Sequence, residues 1–114
     1  MNKREVGKAG EDAAIYFLQN KGLEIIARNY YTFNSEIDIV AREKEYLVFV
    51  EVKERKSDEF GDPLYAVTKV KQKRLIKAAM QFMYENHYSQ DTFVRFDVIG
   101  INGSNINWIQ NAFY

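Results

Sequence analysis

The chain has 114 residues, 46% hydrophobic and 28% charged, enough for one compact domain burying roughly two thirds of its unfolded surface and too few for a second. Sixteen basic residues balance sixteen acidic ones, so any attraction to nucleic acid, an anionic membrane or an acidic substrate has to be local. The absence of cysteine excludes disulfide staples, thiolate zinc sites and cysteine nucleophiles, and fits a reducing, cytoplasmic setting. From Met1 to Glu5 the chain is polar, and no apolar run approaches the roughly 20 residues that cross a bilayer, so neither a signal peptide nor membrane contact is expected.

Val6, Gly10, Ala13, Ala14, Phe17 and Leu18 recur at offsets of 4, 3, 1, 3 and 1, the pattern of a helix with one buried stripe. Gly22 is placed to stop that helix. Leu23 to Thr32 is rich in β-branched and aromatic residues, and Glu36 to Arg42 alternates polar with apolar; both are read as strands. Tyr46 to Val52 is a near-continuous apolar run, which predicts a central strand buried on both faces. Between Glu54 and Pro63 charge, Gly61 and the only proline predict an exposed, mobile flap. Thr68 is placed to cap a long helix with Leu75, Ile76, Ala79 and Met83 on its apolar side, ending near Asn86. Strands Phe93 to Ile101 and Asn105 to Phe113 follow, joined by Asn102-Gly103-Ser104, a hairpin-turn composition. A strand that returns through a helix to another strand pairs in parallel. The expected fold is therefore a single α/β domain, a mixed β-sheet flanked by helices in the order αβββαββ.

Register in the central hairpin decides which side chains share a face. A two-residue loop at Lys44-Glu45 pairs Glu43 with Tyr46. Ile39 then opposes Val50 and Ile37 opposes Val52 on one face, while Asp38 opposes Glu51 and Glu36 opposes Lys53 on the other. A three-residue loop would set charged positions against apolar ones, so the pattern favours the even loop. Two like charges facing each other inside a sheet repel and resist desolvation. A divalent cation turns that repulsion into coordination, and hard oxygen ligands suit Mg²⁺ or Mn²⁺. Lys53 on the same face could hold a phosphate or a polarised water. A plainer account pairs Glu51 with Lys53 or Arg55 at a strand end.

Asp38, followed after 12 intervening residues by Glu51-Val52-Lys53, resembles the PD-(D/E)XK nuclease signature. Gly7-Lys8-Ala9-Gly10-Glu11, Arg28-Asn29-Tyr30, Ser35-Glu36-Ile37-Asp38-Ile39, Phe49-Val50-Glu51-Val52-Lys53, Phe60-Gly61 and Arg95-Phe96-Asp97-Val98 together resemble the bacterial YraN-like family of predicted endonucleases, nearly end to end. One departure is Ile37, which stands where the signature has proline. The resemblance implies a restriction-endonuclease-like core. It also implies that Asp38, Glu51 and the Val52 carbonyl hold Mg²⁺ (or Mn²⁺), that Lys53 orients water or stabilises transition-state charge, and that Glu11 is an accessory acid. Helix geometry alone leaves Glu11 equally well explained as a first-turn glutamate favoured by the helix dipole. Glu36 is either an outer group of the metal site or an ordinary cross-strand partner of Lys53.

Lys69, Lys73 and Lys77 fall at i, i+4 and i+8 and, with Arg55 and Lys56, could track a phosphate backbone without reading bases. A solvated helix face explains the same run. His87 reads as a surface histidine, Trp108 as a core residue, and Asp97 as the holder of a structural hydrogen bond. Tyr30, Tyr31 and Phe60 are the aromatics considered for stacking on bases. The expected activity is metal-dependent hydrolysis of DNA, including branched or distorted DNA, by a cytoplasmic enzyme. The junction-resolvase likeness brings in a homodimer, for which no interface is legible. The rival expectation is a nuclease fold that binds nucleic acid or a repair protein without turnover.

Overall fold

The computed structural model describes residues 3–55 and 67–114, with side chains described from Ala9 onward apart from that of Arg55. The flap expected from Glu54 to Pro63, with Lys56, Phe60 and Gly61, lies outside the described residues except for Glu54 and the backbone of Arg55. Helix α1 spans Lys3–Asn20 and buries Ala14 and Leu18 completely, whereas Ala13 of the expected stripe faces solvent. Gly22 ends it with a left-handed φ of 96°. Its N–H donates to the Gln19 carbonyl at 3.0 Å and the Leu23 N–H to the Leu18 carbonyl at 3.1 Å, the paired bonds of a Schellman cap. Leu23 packs beside Leu18 in one cluster, so it closes the cap and the first strand starts one residue later.

The strands are β1 (Glu24–Tyr31), β2 (Glu36–Glu43), β3 (Tyr46–Arg55), β4 (Phe93–Asn102) and β5 (Asn105–Phe113), with helix α2 (Lys69–Glu85) between β3 and β4. They form one five-stranded sheet in sequence order. Pairing is antiparallel except for β3 with β4, which are parallel and joined through α2. The expected αβββαββ order and mixed sheet are thus the observed ones, and β3 is central. It runs on to Arg55 instead of ending at Val52, because β4 continues beside it and pairs Glu54 with Ile101 and Arg55 with Asn102.

β3 is buried on both faces, as its apolar run predicts. Leu47 and Phe49 pack with Phe96, Val98 and the α2 residues Leu75, Ala78 and Phe82 on one side. Val48 and Val50 pack with Ile39, Ile99, Ala14 and Leu18 on the α1 side. Each such side chain contributes roughly 1.5–3 kcal/mol on full burial, and the stacked rings of Phe49 and Phe96, with centroids 5.5 Å apart, join the two parallel strands. Thr68 caps α2 as expected, its hydroxyl accepting from the Lys71 N–H at 3.2 Å, and Asn86 closes the far end. The stripe that α2 buries is centred on Leu75, Ala78, Ala79 and Phe82, with Ile76 and Met83 at its margin.

Asp97 in mid-β4 is 0% exposed and does hold a structural network. It accepts from the Arg95 guanidinium at 3.0 Å, the Trp108 indole N–H at 2.9 Å and the Asn111 N–H at 2.9 Å. The last bond explains an irregularity in β5. Between the pairs Val98↔Ile109 and Phe96↔Phe113 that strand carries extra residues, and Asn111 takes a φ of 51° that brings its amide to the carboxylate. Trp108 is half-buried, its ring edge-on to Phe17. His87 is exposed at the end of α2. Among the described residues no helix is long and apolar enough to cross a membrane.

Candidate active site

The β2–β3 hairpin has the register expected of an even loop, with Glu43↔Tyr46 and Ile39↔Val50 paired. Lys44, the first loop residue, has a φ of 55°. Beyond Ile39↔Val50 the expected pairs do not continue as a ladder. The Val52 N–H, which the register would direct to the next residue of β2, donates instead to Asp38 Oδ2 at 2.8 Å. Freed from the ladder, Ile37 packs in the α2-side cluster and not with Ile39, which corrects the face assigned to it. The fork that opens is lined by carboxylates.

That fork is the floor of a cleft of about 470 Å³. The loop before β2 contributes Asn34 and Ser35, β2 contributes Glu36 and Asp38, β3 contributes Glu51, and the start of α2 contributes Thr68, Val70, Lys71 and Arg74. A larger hollow of about 710 Å³ lies against the far half of α2, around Met80, Met83 and Tyr88, and among the described residues no Asp, Glu, Lys or Arg side chain lines it. Reactive groups are concentrated in the smaller one.

Asp38 and Glu51 are 8% and 6% exposed. Burial, the Glu51 charge, a hydrogen bond with Glu36 and the nearby Glu11 push the Asp38 carboxyl up to about 9, against the pull of the Val52 N–H toward ionisation. One oxygen each of Glu11, Glu36 and Asp38 lies within 4.8 Å of the others. Glu51 stands outside that triple. Its Oε1 meets Lys71 Nζ at 3.0 Å and Lys53 Nζ at 3.5 Å, while its Oε2 is buried with no hydrogen-bond partner among the described residues. Burial and then Lys71 pull the Lys53 ammonium down, with Glu51 opposing. Burial also works against the Lys71 charge, but Lys53, Glu51 and Asp38 together outweigh it and the net shift is upward.

Glu11 reaches this group from α1 because its carboxylate is held there. Asn29 Nδ2 donates to it at 2.8 Å, and Arg28 stands 3.6 Å away while bonding Asp12 at 2.7 Å. Asn29 makes the bond from a left-handed φ of 54°, a conformation asparagine tolerates better than most residues. Close approach of α1 to the end of β3 is visible at Gly10, where a Cβ would stand 2.9 Å from Glu54 Oε1.

The donor set fits a hard divalent cation. Its side chains supply carboxylate oxygens, one of them buried without a partner among the described residues and another on a carboxyl that without a counterion favours its protonated form. Asp38, Glu51, Lys53 and Glu11 are therefore brought together, and Glu36 turns to Asp38 and Glu11, whereas the ion pair of Lys53 is with Glu51. Lys69, Lys73 and Lys77 are exposed and, at about 100° per residue, lie roughly 120–160° around α2 from Lys71. The side chain of Arg55 lies outside the described residues. Lys71, Arg74 and Asn29 escaped the sequence reading. The available signal for Lys71 was its place one turn before Leu75 on the stripe that buries α2.

The family described as "Uncharacterised protein family UPF0102" matches residues 10–101. The UPF0102 protein of Vibrio parahaemolyticus is 42% identical over 113 residues, covering 97% of this chain and 93% of its own. That of Thermodesulfovibrio yellowstonii is 43% identical over 100% of both chains. A third, from Francisella tularensis, is 43% identical over 99% of this chain and 97% of its own.

Proposed function

The chain belongs to the uncharacterised protein family UPF0102, and for this member we propose a metal-dependent endonuclease that hydrolyses phosphodiester bonds in DNA, branched or distorted DNA above all. The observation that carries the reading is the convergence of Glu11, Glu36, Asp38 and Glu51 with Lys53 and Lys71 at one fork in the sheet. Asp38, Glu51 and the Val52 carbonyl would hold Mg²⁺ or Mn²⁺, with Glu11 and Glu36 beside them. Such a cation, when bound, acidifies water and neutralises charge on the scissile phosphate.

The chain's own residues do the rest. The Val52 N–H holds the Asp38 carboxyl in the fork at 2.8 Å, the position from which it would serve as a ligand. Lys53 Nζ orients the attacking water or stabilises the charge that gathers on the phosphoryl oxygens, and Lys71 and Arg74 meet the non-bridging oxygens from α2. Water oxygen adds to phosphorus as the ester P–O bond breaks, and the leaving oxygen takes up a proton. One end of the cut strand carries a phosphate monoester and the other a hydroxyl. Lys69, Lys73 and Lys77, with Arg55, carry the duplex away from the cleft. Symmetric cutting of a four-way junction needs two such sites, so on that substrate this reading calls for a homodimer.

The test is cleavage of linear, nicked, flapped and four-way DNA with Mg²⁺ or Mn²⁺, run beside Asp38→Ala and Lys53→Ala. Metal-dependent cutting that both substitutions abolish supports the reading. Cutting that survives both assigns the activity elsewhere, and binding without cutting on every substrate replaces the enzyme with a binding module.

A further inference from the structure

The loop between β1 and β2 puts a phenylalanine where water should be its only neighbour. Phe33 is 103% exposed, although Asn34, Ser35 and Glu36, the residues that follow it, all line the cleft. The loop is tightly closed: the Thr32 N–H donates to the Ser35 carbonyl at 2.8 Å, and the Thr32 hydroxyl donates to the same oxygen at 3.2 Å. Phe33 and Asn34 are thereby held at its tip. On the α2 side Val70, 60% exposed, is an apolar member of the lining beside Lys71 and Arg74. A charged floor that suits phosphates thus adjoins the tip that carries Phe33.

We infer that Phe33 stacks on an unpaired nucleobase next to the phosphate held in the cleft, so that the preferred substrate is DNA with a nucleotide out of its helical stack. This inference rests on the nucleic-acid reading of the cleft. In continuous duplex the base faces are covered by their neighbours and only edges and phosphates are offered to a protein. A fully exposed ring beside a phosphate site matches the aromatic-plus-cation arrangement that grips single-stranded nucleotides, or a wedge inserted at a disrupted step. The closed loop fixes the backbone that carries the ring, which lowers the ordering cost of binding. Tyr30, by contrast, is tied to Glu85 and packs edge-on to Phe82.

The experiment uses the full chain with Ca²⁺ in place of Mg²⁺ to slow turnover, and compares continuous duplex with the same sequence carrying a single-stranded flap. The flap has 2-aminopurine at the junction nucleotide. Wild type should bind the flapped DNA more tightly and quench the probe. Phe33→Ala should weaken flap binding at least about five-fold and abolish the quench while leaving duplex binding unchanged, and Phe33→Trp should restore both. Because Phe33 buries none of its surface, the alanine protein should melt like wild type. Flap binding and quench that survive Phe33→Ala, or equal losses on both DNAs, overturn the inference alone. Failure of wild type to bind either DNA overturns the nucleic-acid reading itself.

Discussion

Replacing Asp38 by asparagine separates its two roles, because the metal-free fold already favours a protonated carboxyl there. Asparagine keeps an acceptor oxygen for the Val52 N–H, which now bonds Asp38 at 2.8 Å, and removes the repulsion among Asp38, Glu51 and Glu11. In EDTA near neutral pH Asp38→Asn should therefore be no less stable than wild type to within about 1 kcal/mol, the worth of one ordinary hydrogen bond, and should become the more stable of the two as pH rises. Wild type should gain about 2.7 kcal/mol at Mg²⁺ a hundred-fold above its dissociation constant, or roughly 10 °C in Tm for a chain of this size. The variant should gain almost nothing. The pH dependence has a definite sign. A carboxyl raised from 3.8 to about 9 binds its proton more strongly folded than unfolded, so its contribution is complete below the lower value and is lost as pH rises through the higher. Metal-free wild type should consequently lose stability between about pH 4 and 9 relative to Asp38→Asn, and Mg²⁺ affinity should rise with pH across that window. Calorimetric melts at pH 6 and 8, with EDTA or Mg²⁺, read all of this. An Asp38→Asn protein that melts more than about 8 °C below wild type in EDTA, which is 2 kcal/mol or more, or that keeps the Mg²⁺ shift, would refute the reasoning.

Asn29→Gly retains the left-handed backbone but releases Glu11, so Mn²⁺ affinity by titration calorimetry should fall about 10- to 100-fold with little change in Tm; an unchanged affinity would make the Asn29 bond purely structural. Asp97→Ala strips buried Arg95 of one of its two carboxylate partners, Glu43 at 2.8 Å being the other, leaves the Trp108 and Asn111 N–H groups without their acceptor, and should cost about 3–5 kcal/mol in urea unfolding, with less than 1 kcal/mol counting against the network. Lys44→Gly relieves a φ of 55° and should raise stability by about 0.5–1 kcal/mol, an outcome that a lower urea midpoint would contradict. Arg74→Ala, Lys69→Ala and Lys73→Ala should each reduce the salt slope of DNA binding by about one charge, and any residue whose loss leaves the slope intact is off the DNA path.

Most of the fold was legible because periodicity and punctuation agreed. Gly22, Thr68 and the two-residue loops at Lys44-Glu45 and Gly103-Ser104 mark where elements stop, and β3 announces its two buried faces through Leu47, Val48, Phe49 and Val50. The hairpin register was legible from polarity alone down to Ile39↔Val50. Past that point the arithmetic of alternation fails, since a carboxylate competes with the backbone for the Val52 amide and no pattern of apolar residues records such a competition. Lys71 was obscured for a related reason. Its chain neighbours Lys69 and Lys73 are basic too and suggest a solvated run, whereas Lys71 lies on the opposite side of α2 and reaches Glu51 at 3.0 Å. Asn29 stands in Arg28-Asn29-Tyr30, a segment that carries the resemblance, but its hold on Glu11 depends on a left-handed φ that the sequence does not display.

The bond from Val52 to Asp38 also turns a main-chain amide into an internal gauge of the acid. Whatever exchanges the proton of that carboxyl for a cation alters the electron density that this N–H senses, at an atom already in the central strand and two residues from a fully paired ladder. A nuclear-resonance spectrum would then carry one backbone signal whose position tracks the charge state of the cleft, readable without substrate, turnover or an attached label.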